Sequence, residues 1–196
     1  MRAWILALTA VLVASTAASA APRKTRAPWP RPGSPLTLAR AAGLTPETHE
    51  FFEFHVHAHL DVFVNAKRVR VPAGIGIEIH DPAVHSARLQ DGTIGYGGIN
   101  PPCKFPCISP LHTHDDSGIL HTESKRSHPN QLGQLFTEWN VRLSRRCVGG
   151  YCRNVKFYVN GKRYGGDPRA IQLTNLKEIA IVIGKPPRPI PSKFPR

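Results

Sequence analysis

Six of the chain's ten histidines fall in two short stretches, FHVHAHLDVFV (54–64) and LHTHDDSGILHTES (111–124). Neutral imidazole is the commonest side-chain ligand for zinc and copper, so their spacing bears directly on chemistry. In the second stretch, Asp115, Asp116, Ser117 and Gly118 spell a tight reversal: Asp and Ser hydrogen-bond their own backbone and Gly accepts positive φ. A hairpin closed there sets His112 opposite His121 and His114 opposite Ile119, with three imidazoles on one face. In the first stretch, Val56, Ala58, Leu60, Val62 and Val64 alternate with His55, His57, His59 and Asp61. That period of two marks a half-buried strand whose odd face carries imidazoles.

If the two stretches face each other, they build a nitrogen-rich site suited to Cu(II) or Zn(II), with copper favoured at equal geometry. The ligand set expected is His57, His59, His112, His114 and His121, with His55 as an extra ligand. Glu123 shares the face of His121, and Asp61 extends the face of His59. Together with Asp115, these are candidate partners for an imidazole N–H, and Glu123 and Asp115 are also candidate general bases. The plain alternative is that the histidines form a polar surface and that Asp115 and Asp116 only shape the turn. His49, His80, His85 and His128 are isolated and read as loop residues. The chain has no G-x-S-x-G elbow, phosphate-binding glycine loop or H-E-x-x-H helix.

These ligands need a scaffold. After the first histidine strand, Asn65-Ala66-Lys67 turns the chain into a second strand expected to run from Arg68, past Pro72, towards Ile79. Residues 80–128 form a long insertion rich in Gly, Pro and Asp that delivers the second stretch. Asn130 to Ser144 switches to helical period, with Leu132, Leu135, Phe136, Trp139 and Leu143 on one stripe. That helix is expected to cover the Val56–Val64 face. Strands follow at Val155–Val159, beyond the strong Asn160-Gly161 turn, and at Glu178–Ile183. The order is hairpin, helix, strand, short strand and final strand over residues 52–79 and 130–184. It resembles the β-grasp fold of ubiquitin and the sulfur carriers, although the carriers' C-terminal Gly-Gly is replaced by a proline-rich tail. The expected class is α+β: a β-grasp-like mixed sheet on one helix, with a His/Cys-bearing insertion after the first hairpin.

The ends suggest a destination. Residues 1–20 have the charged start, apolar run and Ala18-Ser19-Ala20 cut site of an export signal, and the run is too short to span a bilayer. Export makes disulfides the default for Cys103, Cys107, Cys147 and Cys152. Local pairs Cys103–Cys107 and Cys147–Cys152 are favoured, with crossed pairing left open. The net charge of +13 concentrates in residues 21–36 and 185–196, both rich in proline. They read as flexible basic arms flanking a nearly balanced domain at 37–184. Such arms suit an anionic cell-envelope polymer, or act as plain spacers. The balanced domain argues against nucleic acid, and the mature chain has no transmembrane stretch.

HVHAHLDVFVNAKRVRVPAGIGI (55–77), CISPLHTHDDSGILHTES (107–124) and LGQLFTEWNVRLS (132–144) together resemble a family of exported bacterial and archaeal proteins. The resemblance implies a shared domain and transfers no activity. The expectation is a secreted or periplasmic metal-binding protein for copper or zinc storage, delivery or sensing. The alternatives are a metal-dependent oxidoreductase or hydrolase at the same site, and a structural or adhesive module of the cell envelope.

Overall fold

The computed structural model describes residues 21–125 and 128–195; the expected export signal lies outside the described residues. The element order is α1 (Pro35–Ala41), β1 (Phe54–Val64), β2 (Lys67–Val69), β3 (His85–Arg88), β4 (Ile94–Gly97), β5 (Leu111–His112), β6 (Ile119–Ser124), α2 (Leu132–Glu138), β7 (Val155–Val159), β8 (Lys162–Tyr164) and β9 (Lys177–Ile183). The architecture is mixed α+β with a mostly sheet core and two α-helices among the described residues.

Strand β1 is the axis of the main sheet, whose order is β5-β6-β1-β9-β7-β8, with β2 also pairing β1. Its start pairs antiparallel with β6 and its end with β2, while β9 runs parallel along the other edge. The even side chains Ala58, Leu60 and Val62 join Leu120, Leu135, Phe136, Trp139 and Ile181 in one buried apolar cluster. The β1 face assigned to the core is therefore the one packed into that apolar cluster, although His59, Asp61 and Phe63 on the odd face are buried as well. The odd face is left for the histidines.

Several elements are shorter or better packed than their sequence patterns suggest. Strand β2 stops at Val69, and past Pro72 the chain turns through Gly74 and Gly76, both at positive φ, so no strand runs on towards Ile79. Helix α2 has two turns only, because Asn140 takes a left-handed φ of 56°; Trp139 and Leu143 are still buried. The insertion has its own hairpin, β3–β4, and a small core of Ile77, Val84, Ile99 and Ile108. Disulfide Cys103–Cys107 belongs to that core, and Cys147–Cys152 closes the later loop. Both pairs are local, and they fit an oxidising environment. No helix among the described residues is long and apolar enough to cross a membrane.

The two terminal segments are corrected most. Residues 21–32 are no free arm: Arg23 bridges Val141, and buried Trp29 stacks edge-on against Trp139 with ring centres 5.6 Å apart. Trp139 Nε1 also donates to the Trp29 carbonyl at 3.2 Å. The apolar surface that Trp29 removes from water and the backbone bonds of Arg23 and Thr25 together hold this basic, proline-rich segment down. At the other end, Phe194 lies 6.2 Å from the His59 ring, centre to centre, and Pro195 helps line the hollow beside Asp61 and Arg68. The tail thus lies across part of the odd face of β1.

Candidate metal centre

Strand register places the histidines. Across β5, β6 and β1 the paired residues are His112↔His121 and His121↔His57, so three imidazoles form a row on one face. Beside that row, His55 pairs with Glu123. The His57 and His121 rings are 4.4 Å apart, and His112 stacks on His121 at 5.3 Å. The opposition of His112 to His121 is as expected from the sequence. That of His114 to Ile119 does not form, because β5 ends at His112 and the chain is captured by Gly74, Ile75 and β4. The Thr113 amide donates to Ile75, its carbonyl accepts from Gly74, and the His114 carbonyl accepts from Tyr96.

This detour brings the His114 ring over His121 at 4.3 Å. Gly97 makes that approach possible, and Gly118 lets the reversal close against β1. A Cβ on Gly97 (φ +151°) would lie 2.5 Å from His114 Nδ1, and one on Gly118 (φ +94°) would lie 2.5 Å from the Leu60 carbonyl. Asp115 does shape the turn: its Oδ1 accepts from the Ser117 amide at 2.9 Å. Asp116 pairs with Arg70.

The ring nitrogens of His112 and His114 are differentiated by their partners. His112 Nδ1 donates to the Ser109 carbonyl at 2.8 Å and His114 Nδ1 to the Tyr96 carbonyl at 2.5 Å. A carbonyl can only accept, so each Nδ1 carries the ring proton and each Nε2 lone pair is free in the neutral ring. Those two Nε2 atoms face each other at 3.2 Å. Bonds of about 2.0–2.1 Å at tetrahedral angles separate ligand nitrogens by about 3.3–3.4 Å, close to that spacing. Hydrogen-bonding the outer imidazole nitrogen to a backbone carbonyl is how proteins orient metal-binding histidines.

Glu123 closes the group. It is 3 % exposed, and its Oε1 lies 3.0 Å from His55 Nε2, 3.3 Å from His121 Nδ1 and 3.7 Å from His112 Nε2. Of the six buried side-chain atoms without a hydrogen-bond partner among the described residues, three lie here, Glu123 Oε2, His57 Nε2 and Glu50 Oε1; the others belong to Glu138 and Glu178. Glu50 Oε1 is itself 3.7 Å from His114 Nε2. Orphaned polar atoms gathered at one place are costly unless a further group meets them.

The electrostatics favour ligand-ready imidazoles. Burial, then neighbouring His121, His55 and His114, lowers the His57 pKa to about 4. Burial, then His114 and His55, lowers His121 to about 3, with Asp115 opposing weakly. Fully buried His112 is pushed well below its usual value by burial, then by His114 and His121. At neutral pH these three rings are uncharged, the form that binds metal. Burial also raises Glu123 to about 7, with His55 opposing and Glu50 reinforcing. A cation among these residues would favour its ionised form.

Two groups of ligand atoms, each mutually within 4.8 Å, could therefore hold a metal ion: His112, His114, His121 with Glu123, and His55, His57 with His121. No known family model matches the chain, and no curated protein or solved structure is similar to it.

His59 does not join the other histidines. It lies where β6 gives way to the turn, opposite Ile119, and its register partner on β9 is Glu178. Its Nδ1 meets Glu178 Oε2 at 2.7 Å and its Nε2 meets the Ser117 carbonyl at 3.0 Å. Facing two acceptors, the ring is suited to carry both protons. Burial opposes that charge, yet Glu178, Asp61 and Ser117 prevail and raise the His59 pKa. Asp61 is taken by Arg68 at 2.9 Å. His59, Asp61 and Glu178 form a third group with metal-ligand spacing, but its ring nitrogens are already committed.

The residues that sequence patterns missed are Glu50, Glu178, Tyr96 and Ser109. Glu178 is the second residue of β9, whose parallel pairing to β1 has no local signature. Glu50 precedes β1 in an irregular segment. Tyr96 and Ser109 act through backbone carbonyls, which carry no residue signal at all.

Proposed function

We propose that the chain is an exported metal-binding protein that holds copper or zinc at His112, His114, His121 and Glu123, with His55 and His57 at its edge. The observation that carries this reading is the pair of Nε2 atoms at 3.2 Å, each ring anchored through Nδ1 to a backbone carbonyl. Three nitrogens and one carboxylate oxygen suit either ion, and copper leads at equal geometry. The parallel pairing of β1 with β9, flanked by β2 and β7, supports a β-grasp core. The disulfides and the sequence of residues 1–20 support export, and Arg188 and Lys193 on the tail suit an anionic envelope polymer.

A metal-dependent oxidoreductase or hydrolase is the second reading, favoured by a cleft of about 390 Å³ against the site. Glu50, Ser86, Tyr96, Gly97, His114 and Asp115 line it. A substrate there would reach the His114 side of the ion.

Metal analysis of protein purified without a His-tag tests the main reading. Bound copper or zinc is expected, and at a thousandfold excess of free ion over Kd the fold should gain about 4 kcal/mol. Protein that carries no metal and shows no thermal shift with Cu(II) or Zn(II) would reject it.

A further inference from the structure

The histidine field has more ligands than one ion can use. A mononuclear zinc or copper site takes about four protein ligands, and five imidazoles and a buried carboxylate converge here. With bonds near 2.0–2.1 Å, the ligands of one ion must lie within about 4.2 Å of one another. The row His112–His121–His57 spans three strands, about 9–10 Å at the backbone, so its two ends lean on opposite sides of His121. Within this field the metal-competent atoms fall into two groups that share His121, and His57 is not a member of the His112 group.

We propose that the site holds two divalent transition-metal ions: one at His112 and His114, the other at His55 and His57, with His121 and Glu123 between them. This rests on the metal-binding reading above and adds its stoichiometry. Three observations support it. Glu123 Oε1 straddles the groups, 3.0 Å from His55 Nε2 and 3.7 Å from His112 Nε2. Its other oxygen, Oε2, is buried and has no hydrogen-bond partner among the described residues, as a carboxylate placed to bind at both oxygens would be. His57 Nε2 is likewise buried and unpartnered, although the His57 ring packs 4.5 Å from His55 and 4.4 Å from His121. A single ion at His112 and His114 leaves that nitrogen unexplained. A second ion beside His55 accounts for it.

The number of ions bound at saturation distinguishes the cases. The full chain, purified without a His-tag and titrated with Cu(II), should take up two ions by native mass spectrometry. Carboxylate-linked Cu(II) ions couple magnetically, so the doubly loaded protein should give less EPR intensity than its copper content implies. His57→Ala should bind one ion and recover a full single-copper signal. His55→Ala, at an exposed position, provides the same test with little risk to folding, and circular dichroism checks both variants. Saturation of the wild type at one ion would overturn the two-ion proposal and leave the metal-binding reading standing. Two ions retained by both variants would also overturn it. No ion bound by the wild type would instead reject the metal-binding reading itself.

Discussion

His112→Ala is expected to weaken binding of Cu(II) or Zn(II) by at least about a hundredfold. Loss of even an outer hydrogen-bond partner of a metal-binding imidazole typically costs 10–100-fold, and His112 is proposed to contact the ion directly. Its ring is fully buried, fixed by Ser109, and held in the β5–β6 register opposite His121. His114, His121 and Glu123 would remain, but the facing pair of Nε2 atoms would be gone. The substitution should not weaken the metal-free fold in proportion, because His112 is a neutral ring crowded by other imidazoles. Isothermal titration beside thermal unfolding of the metal-free protein separates the two effects. Wild-type affinity in His112→Ala would contradict the assignment.

The second large effect concerns stability. His59 and Glu178 are 4 % and 1 % exposed and form a charge-assisted pair at 2.7 Å. Glu178→Ala should cost about 3 kcal/mol, the lower end for breaking a buried pair, because an imidazole can shed its proton where a guanidinium cannot. The pH dependence has a definite sign. His59 has a raised pKa in the folded state, so its stabilisation is complete below about pH 6.5, the unfolded value, and fades as pH rises through the folded value. Burial raises Glu178 as well, with His59 opposing, so the charged pair weakens in acid. The variant should therefore differ most from the wild type near pH 6 to 6.5 and converge with it at alkaline pH. Urea unfolding across pH, with NMR of the His59 ring, checks both parts. A His59 that is neutral at pH 6 would reject the pair as described.

Local patterns carried much of this protein. The alternation in Val56–Val64 reported which face of β1 is buried, and Asp115-Asp116-Ser117-Gly118 located the reversal that sets His112 against His121. The histidines of 55–57 and 112–121 do meet on one face. His59 shared their face and their spacing, yet it belongs to a different site. What separates it is Glu178, placed beside it by a parallel strand more than a hundred residues away, and no local pattern encodes that register. The terminal segments misled for a related reason. Proline and positive charge in residues 21–36 describe a solvated chain, but Trp29 packs against Trp139 and Arg23 bridges Val141, which docks it. Two backbone carbonyls, those of Ser109 and Tyr96, fix the orientation of the ligand rings and are invisible to residue identity.

The most direct measurement of the central claim is anomalous X-ray scattering from crystals of the tag-free protein loaded with Cu(II) or Zn(II). A peak is expected bonded to His112 Nε2 and His114 Nε2, about 2.0–2.1 Å from each, with both Nδ1 atoms still on the Ser109 and Tyr96 carbonyls. Peaks confined to His59 or to isolated surface histidines such as His80 and His85 would contradict it.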